Sequence, residues 1–239
     1  MSSPTMRASR RILKTTPWIL ATAIGLNDFA LEITPVQGSS MAPTLSPAYA
    51  TTGAQDYLAW RKWMPTADLR RGDIVMYNTP LRAEGTAVKR VVALGGDVVY
   101  LDARRRPGAA DSDGRVRASE RTAVKGWDVM AAAGSDGREA GFRVPYGHVW
   151  CEGDNWRASL DSNFFGPMSR SLIVGKAVGV VWPVGRWGVE LGEGGAATAA
   201  AGVGVEKGDG DEVFFGRTRV VKGREEVPQE WEDLVRAGF

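Results

Sequence analysis

The chain has 239 residues, 44% of them hydrophobic, enough for one large domain or two small ones with a real core. A formal net charge of +2 gives no bulk electrostatic case for a nucleic-acid partner. The single cysteine, Cys151, excludes an intrachain disulfide; the single histidine, His148, excludes a multi-histidine metal site and leaves a Ser-His-Asp triad only one candidate base.

Residues 1–14 carry Arg7, Arg10, Arg11 and Lys14 and no acid, the pattern of a mitochondrial targeting segment. A mostly apolar run follows over 17–36, near the roughly 20 residues that span a bilayer. Asn27, Asp28 and Glu32 interrupt it, and acids at membrane depth are costly. Residues 1–36 are therefore expected to form a targeting and membrane-anchor segment with an anchor helix. A cleaved targeting peptide and a buried or surface amphipathic helix are the alternatives. If the run spans, its basic flank stays on the side of insertion and everything after about residue 36 lies across the membrane.

Gly38-Ser39-Ser40-Met41-Ala42-Pro43-Thr44-Leu45 comes next. Ser40 sits between a small flexible pair and a turn, a placement that can expose a hydroxyl and aim a backbone N–H at a developing oxyanion. A plain linker is the alternative. Residues 55–64, with Leu58 near Trp60 and Trp63, suggest a short helix or an irregular apolar lid. Arg71-Gly72-Asp73-Ile74-Val75-Met76-Tyr77 reads as a turn entering a strand, 86–94 as a second strand, Gly95-Gly96-Asp97 as a turn and Val98 to Leu101 as extended chain. Residues 102–140, which include Arg104, Arg105 and Arg106, read as a hydrophilic insertion. Strand-like sequence returns at 142–152, and 171–183 suggests a strand pair or one bent strand. Beyond Val184 the chain is rich in Gly, Ala and charge, with 192–210 expected to be flexible and 228–237 a short helix opened by Pro228. Short strands punctuated by Gly and Pro predict a mainly β fold. The domain expectation is 1–36 as anchor, 37–187 as a β domain with the 102–140 insertion, and 188–239 as a flexible extension.

A serine hydroxyl is a poor nucleophile until a base takes its proton. Lysine is such a base only when neutral, so its pKa must fall from about 10.4 by roughly 2 pH units, about 3 kcal/mol. Burial lowers it, and Lys89 lies among Val88, Val91 and Val92. Strand alternation puts Ala87, Lys89 and Val91 on one face and Arg90 on the other. In the polar stretch from Gly153 to Pro167, Ser159 can hydrogen-bond the lysine amine and orient it, and Asp161 can hold local backbone or a nearby side chain in place; a solvated surface loop is the alternative. The rival base is His148, in a triad with Ser40 and Asp154. Val144-Pro145-Tyr146-Gly147-His148-Val149-Trp150 reads instead as a turn entering a strand, which favours a structural histidine. Cys151 has nothing nearby in sequence to lower its pKa.

Four segments occur in one order: Ser40-Met41-Ala42-Pro43-Thr44-Leu45, Arg71 to Val75, Lys89 to Asp97, and Gly153-Asp154-Asn155 through Ser159, Asp161 and Ser162 to Gly166-Pro167. In this order they resemble the boxes of the type I signal peptidases, and within them the mitochondrial inner membrane peptidases. Asp161-Ser162-Asn163 and the stretch around His148 favour the second-subunit branch. The resemblance implies a signal-peptidase-like β fold and a serine endopeptidase that removes sorting presequences. It assigns Ser40 as nucleophile, Lys89 as general base, Ser159 as the residue fixing the amine, and Asp161 and Arg90 as supports. Met41 would line the substrate groove and Asp73 would fix a turn. Many bacterial members carry a hydroxyl residue where this chain has Gly38, and many members carry arginine where it has Asn163.

The same resemblance implies no cofactor and no metal. The implied partners are the first catalytic subunit of the inner membrane peptidase, presequence-bearing precursors and the lipid bilayer, with no nucleic acid. The implied location is the mitochondrial inner membrane, with the catalytic domain facing the intermembrane space. Two other readings stand beside it. One is a non-catalytic assembly subunit of the same complex. The other is a self-cleaving serine/lysine regulator related to DNA-damage repressors, which needs a DNA-binding helical domain that residues 1–36 do not supply.

Overall fold

The computed structural model describes residues 25, 30–80, 85–100, 141–189, 191, 205–207, 211–215 and 218–223. The fold is mainly β. Strand β1 is Leu31–Pro35, β2 Tyr57–Arg61, β3 Ile74–Asn78, β4 Thr86–Leu94, β5 Val98–Tyr100, β6 Gly141–Arg143, β7 His148–Glu152, β8 Met168–Ser169 and β9 Ile173–Trp182. Three more follow: β10 Val205–Lys207, β11 Glu212–Phe215 and β12 Thr218–Val221. Two four-residue helices, α1 (Tyr49–Thr52) and α2 (Ser162–Phe165), lie in the connections. A seven-stranded sheet runs β1-β2-β9-β3-β4-β7-β8 and a five-stranded sheet runs β10-β11-β12-β5-β6. The paired strands are antiparallel throughout.

The strand β3 explains why the first sheet has a core on both faces. Its run Ile-Val-Met-Tyr lacks polar alternation, as expected where both faces are covered. Ile74 and Met76 pack on one side with Leu58, Trp60 and Val180. Val75 and Tyr77 pack on the other with Val91, Val149 and Cys151. Each such side chain contributes about 1.5–3 kcal/mol on burial. A third cluster joins the two sheets, with Val92, Trp150, Phe142, Val99, Phe215 and Val220 at its centre.

The turn between β4 and β5 is tied by one carboxylate. Asp97 accepts from Leu94 N at 2.8 Å, from Arg71 Nε at 2.8 Å and Nη2 at 2.6 Å, and from Gly223 N at 2.8 Å. It thereby links the two sheets at their shared strand path.

Several expectations are corrected by this architecture. Residues 55–64 hold neither a helix nor a lid: Tyr57–Arg61 is a central strand, with Leu58 and Trp60 fully buried on one face. Leu58 and Trp60 alternate with Tyr57, Ala59 and Arg61, a period of two that wins over the aromatic clustering. The apolar run of 17–36 does not continue as helix to its end, because Leu31–Pro35 is an edge strand on β2 and Glu32 pairs with Lys62 at 2.9 Å. The rest of the expected anchor, apart from Gly25 and Ala30, lies outside the described residues. Among the described residues no helix is long and apolar enough to cross a membrane. The segment 171–183 resolves as one strand, Ile173–Trp182, with a register shift where it meets β3. The region beyond 188, expected to be a flexible extension, supplies three of the five strands of the second sheet. The 102–140 insertion and the 228–237 helix lie outside the described residues.

Candidate active site

Strand β1 runs through buried Val36 into the loop 38–46 that carries Ser40. Met41 and Leu45 anchor this loop into the core below, joined by a Leu45 N to Met41 O hydrogen bond of 2.8 Å. Its far end is locked by Ser46 and Asp56. Ser46 N donates to Asp56 Oδ2 at 2.8 Å, Asp56 N donates to Ser46 Oγ at 3.0 Å, and Ser46 Oγ donates to Val36 O at 2.9 Å. Arg186 completes the clamp, with Nε on Asp56 at 3.1 Å and Nη2 on Thr44 O at 2.6 Å.

On the other side of the loop stands Asn155. Its Nδ2 donates to Ser39 O at 3.0 Å and its backbone N–H to Ser40 O at 2.9 Å. Close approach here requires a glycine at 153. A Cβ there would lie 2.3 Å from Ser159 Oγ and 2.6 Å from Ser40 O. The Gly153–Asp161 stretch therefore closes directly over the serine loop.

Strand β4 delivers Lys89 to the same point. It pairs with Val75 of β3 and is 5% exposed. Its Nζ lies 2.7 Å from Ser40 Oγ and 3.0 Å from Val88 O, and it makes no ion pair with an acid among the described residues. Burial pushes the amine's pKa down; the charges of Asp161, Cys151 and Asp154 oppose that shift in part. Two cavities open on the Ser40–Lys89 pair. One, of about 320 Å³, is lined by Ser39, Tyr77, Leu160 and Phe165, among others. The second, of about 690 Å³, runs past Val36, Gln37, Met76 and Val88 to the Glu32–Lys62 pair. A hydroxyl and a buried, unpaired amine in contact at the floor of an open groove are the components of acyl transfer by a serine.

Residues 9–182 match the family described as signal peptidase, peptidase S26. The chain belongs to the S26 signal peptidase family. It is 30% identical over 189 residues to the mitochondrial inner membrane protease subunit 2 of Saccharomyces cerevisiae, covering 77% of this chain and 88% of that one. Against the subunit 2 of Mus musculus it is 33% identical, covering 64% of this chain and 67% of the relative. The subunit 1 of Mus musculus is 29% identical, over 50% of this chain and 54% of its own length. Among solved structures, a signal peptidase I from Enterococcus faecalis V583 overlaps 45% of this chain and 95% of its own at 20% identity, with a TM-score of 0.28.

As a member of the S26 signal peptidases, the chain places its expected site residues as follows. Ser40 and Lys89 meet. Arg90, next to Lys89 but on the opposite face, is buried and makes a bidentate pair with Asp154 at 2.9 and 2.8 Å; its Nη1 donates to Gly72 O at 2.8 Å and Leu191 O at 2.7 Å. Asp161 is buried and accepts four bonds: Gly153 N at 2.9 Å, Ser159 Oγ at 2.5 Å, Asn163 N at 3.1 Å and Asn163 Nδ2 at 3.0 Å. It is the N-cap of α2.

Two expected roles differ. Ser159 sits against the serine loop, but its hydroxyl bonds Asp161 and makes no bond to the amine. The nearby carboxylate is the stronger acceptor for that proton. Met41 does not line a groove: it is 1% exposed and packs in the core under the loop, so an apolar side chain after the serine anchors the backbone. Asp73 accepts from Arg70 N at 2.7 Å across its turn and pairs with Lys176 at 2.7 Å. His148 Nδ1 lies 3.1 Å from Tyr146 O at the start of β7, while Asp154 is held by Arg90, so no triad forms around Ser40. Cys151 is fully buried, which pushes its thiol pKa up, away from nucleophilic thiolate.

Asn155, Arg186 and Tyr77 are not singled out by the sequence. Asn155 carries a usable signal, since Asn in a polar loop commonly binds neighbouring backbone. Arg186 and Tyr77 carry none; the Tyr77 hydroxyl is buried beside the smaller cavity without a partner among the described residues, and burial raises its pKa.

Proposed function

We propose that this chain is a serine endopeptidase that removes sorting presequences from proteins delivered to the intermembrane space, with Ser40 as nucleophile and Lys89 as general base. The observation that carries the reading is the 2.7 Å contact between Ser40 Oγ and the buried, acid-free amine of Lys89. Membership of the S26 family and likeness to mitochondrial inner membrane protease subunits support the substrate class and the membrane.

Lys89 in its neutral form, which burial favours, takes the Ser40 proton as Oγ attacks the scissile carbonyl carbon. The tetrahedral intermediate collapses as the Lys89 ammonium returns that proton to the leaving amine, which departs and leaves an acyl-Ser40 ester. Lys89, neutral again, takes a proton from water; the hydroxide attacks the ester, and Ser40 Oγ leaves carrying that proton. Asp161 supports this cycle at one remove. It orders Gly153 and Ser159 against the serine loop, and its negative charge opposes part of the fall in the amine's pKa.

The chain would act in the mitochondrial inner membrane, anchored by the apolar run before β1, with the β fold on the intermembrane-space side. It would assemble with the first catalytic subunit of the same protease. The anchor would end before Leu31, where the first strand of the peptidase sheet begins. Trp63, 66% exposed, is available for contact with that partner.

The test is cleavage of a panel of mitochondrial presequences by wild type, Ser40→Ala and Lys89→Met. The expected result is loss of cleavage in both variants with the fold intact. Equal cleavage by all three would end the enzyme reading.

A further inference from the structure

An acyl transfer at Ser40 puts negative charge on the scissile carbonyl oxygen, and that oxyanion needs two preorganised donors. One is at hand: the Ser40 backbone N–H makes no hydrogen bond among the described residues. Gly38, two positions earlier, has no side chain to offer the other. Its φ of +89° also lies in the left-handed region, where an L side chain is strained even though a Cβ there would meet nothing within 4 Å. The loop geometry therefore disfavours a hydroxyl-bearing residue at 38.

We propose that the Ser39 hydroxyl is the second oxyanion donor and hence a further catalytic residue. This rests on Ser40 as nucleophile. Three observations lead to it. Ser39 lines the same 320 Å³ cavity as Ser40 and Lys89. Its hydroxyl has no hydrogen-bond partner among the described residues, in a site where the neighbouring Ser159, Asp161 and Asn155 side chains are all engaged. Its backbone is fixed on both sides of the peptide: Asn155 Nδ2 and Ala42 N hold Ser39 O at 3.0 and 3.2 Å, and Asn155 N holds Ser40 O at 2.9 Å. Both donors thus come from one dipeptide pinned by one asparagine. No proton is transferred; the hydroxyl lowers the barrier by hydrogen bonding to charge that exists only on the way to products.

The experiment compares full-length wild type, Ser39→Ala, Ser39→Thr and Ser40→Ala, reconstituted in membranes, on one presequence peptide. Binding of a peptide boronic acid, whose tetrahedral adduct carries a negative oxygen, is measured alongside. Ser39→Ala should lower kcat by about 100-fold with KM unchanged, the loss typical of one oxyanion donor. Boronate affinity should fall by the same factor as kcat/KM, and Ser39→Thr, which keeps the hydroxyl, should restore most of both. Wild-type kcat in Ser39→Ala, a loss in Ser39→Thr as deep as in Ser39→Ala, or a change confined to KM would overturn the inference. Ser40→Ala separates the two levels: if it remains active the nucleophile reading itself fails, whereas an inactive Ser40→Ala beside a fully active Ser39→Ala removes only the role of Ser39.

Discussion

Lys89 and Arg90 are neighbours on β4 with opposite electrostatic fates. The Lys89 amine faces Ser40 with no acid paired to it among the described residues, while the Arg90 guanidinium, on the other face, gives four hydrogen bonds, two to Asp154 and two to backbone carbonyls. The pleat of one strand thus separates an amine whose charge burial disfavours from a guanidinium paired with a carboxylate. Arginine suits the second place because its pKa keeps it charged and its planar fork matches a carboxylate. Asp154, held there, also binds the Gly153–Asp161 stretch to the body of the sheet.

Removing one member of the Arg90–Asp154 pair should destabilise the protein strongly. Both side chains are nearly inaccessible, so Asp154→Ala leaves a buried guanidinium uncompensated, at about 3–5 kcal/mol. Arg90→Lys should fare little better, because an ammonium cannot serve Asp154, Gly72 O and Leu191 O together. Urea midpoints of the single variants and of the Arg90→Met/Asp154→Leu double variant are the measurement. The double variant should be more stable than Asp154→Ala alone.

Lys89 predicts two pH dependences of the same origin. Its folded pKa lies below its unfolded value because burial disfavours the ammonium. Between the folded and unfolded values the unfolded chain binds more protons, so stability rises with pH across that window and is lower beneath it. Activity should also rise with pH as the amine deprotonates, with the acid limb of kcat/KM below the ordinary lysine range. Lys89→Met should abolish cleavage and flatten the stability slope that Lys89 contributes. A wild type and a Lys89→Met protein with identical pH–stability curves would contradict this account.

Asp161 should shift that limb in a known direction. Its charge raises the Lys89 pKa, so Asp161→Asn should move the acid limb of kcat/KM to lower pH. The plateau rate should fall as well. The amide turns a donor toward Gly153 N or Asn163 N and loses charge-assisted bonds worth about 1.5–3 kcal/mol. A limb that stays in place or moves to higher pH would show that Asp161 acts on the loop alone.

Much of this site could be read from residues close in sequence, and the parts that could not share a physical cause. Strands β3, β4 and β7 and the Gly95-Gly96-Asp97 turn follow from apolar runs and turn residues a few positions apart. Ser40 and Lys89, although 49 positions apart, could be paired because each sits in a recognisable motif. The clamp from Arg186 to Asp56 spans 130 positions and the Asn155–Ser39 bond 116, and neither has a local signature. Strand β1 was hidden because Leu31 and Ile33, exposed on an edge strand, extend the apolar run as if the helix continued to its end. Met41 misled for the opposite reason: a residue beside a nucleophile suggests substrate contact, yet here it fixes the loop from beneath. The C-terminal strands were masked by their Gly- and Ala-rich flank.

Those strands lead to the last prediction. The family match ends at residue 182, yet β12 pairs with β5 and places Phe215 and Val220 in the cluster that holds Trp150 and Phe142. Thr218 Oγ1 also donates to the buried Glu152 at 3.0 Å, at the end of β7, and Gly223 N donates to Asp97. Deleting residues 205–239 would uncover that cluster and remove donors from two buried carboxylates. Loss of the Phe215 and Val220 burial alone is worth about 3–6 kcal/mol at the usual 1.5–3 kcal/mol per side chain. The truncated chain should melt well below the full chain and show early hydrogen exchange in β5, whose pairing partner β12 is gone, and in β6 beyond it. If instead the truncation leaves the melting temperature and the exchange of Val98–Tyr100 unchanged, the C-terminal strands are an ornament on the peptidase and not part of its core.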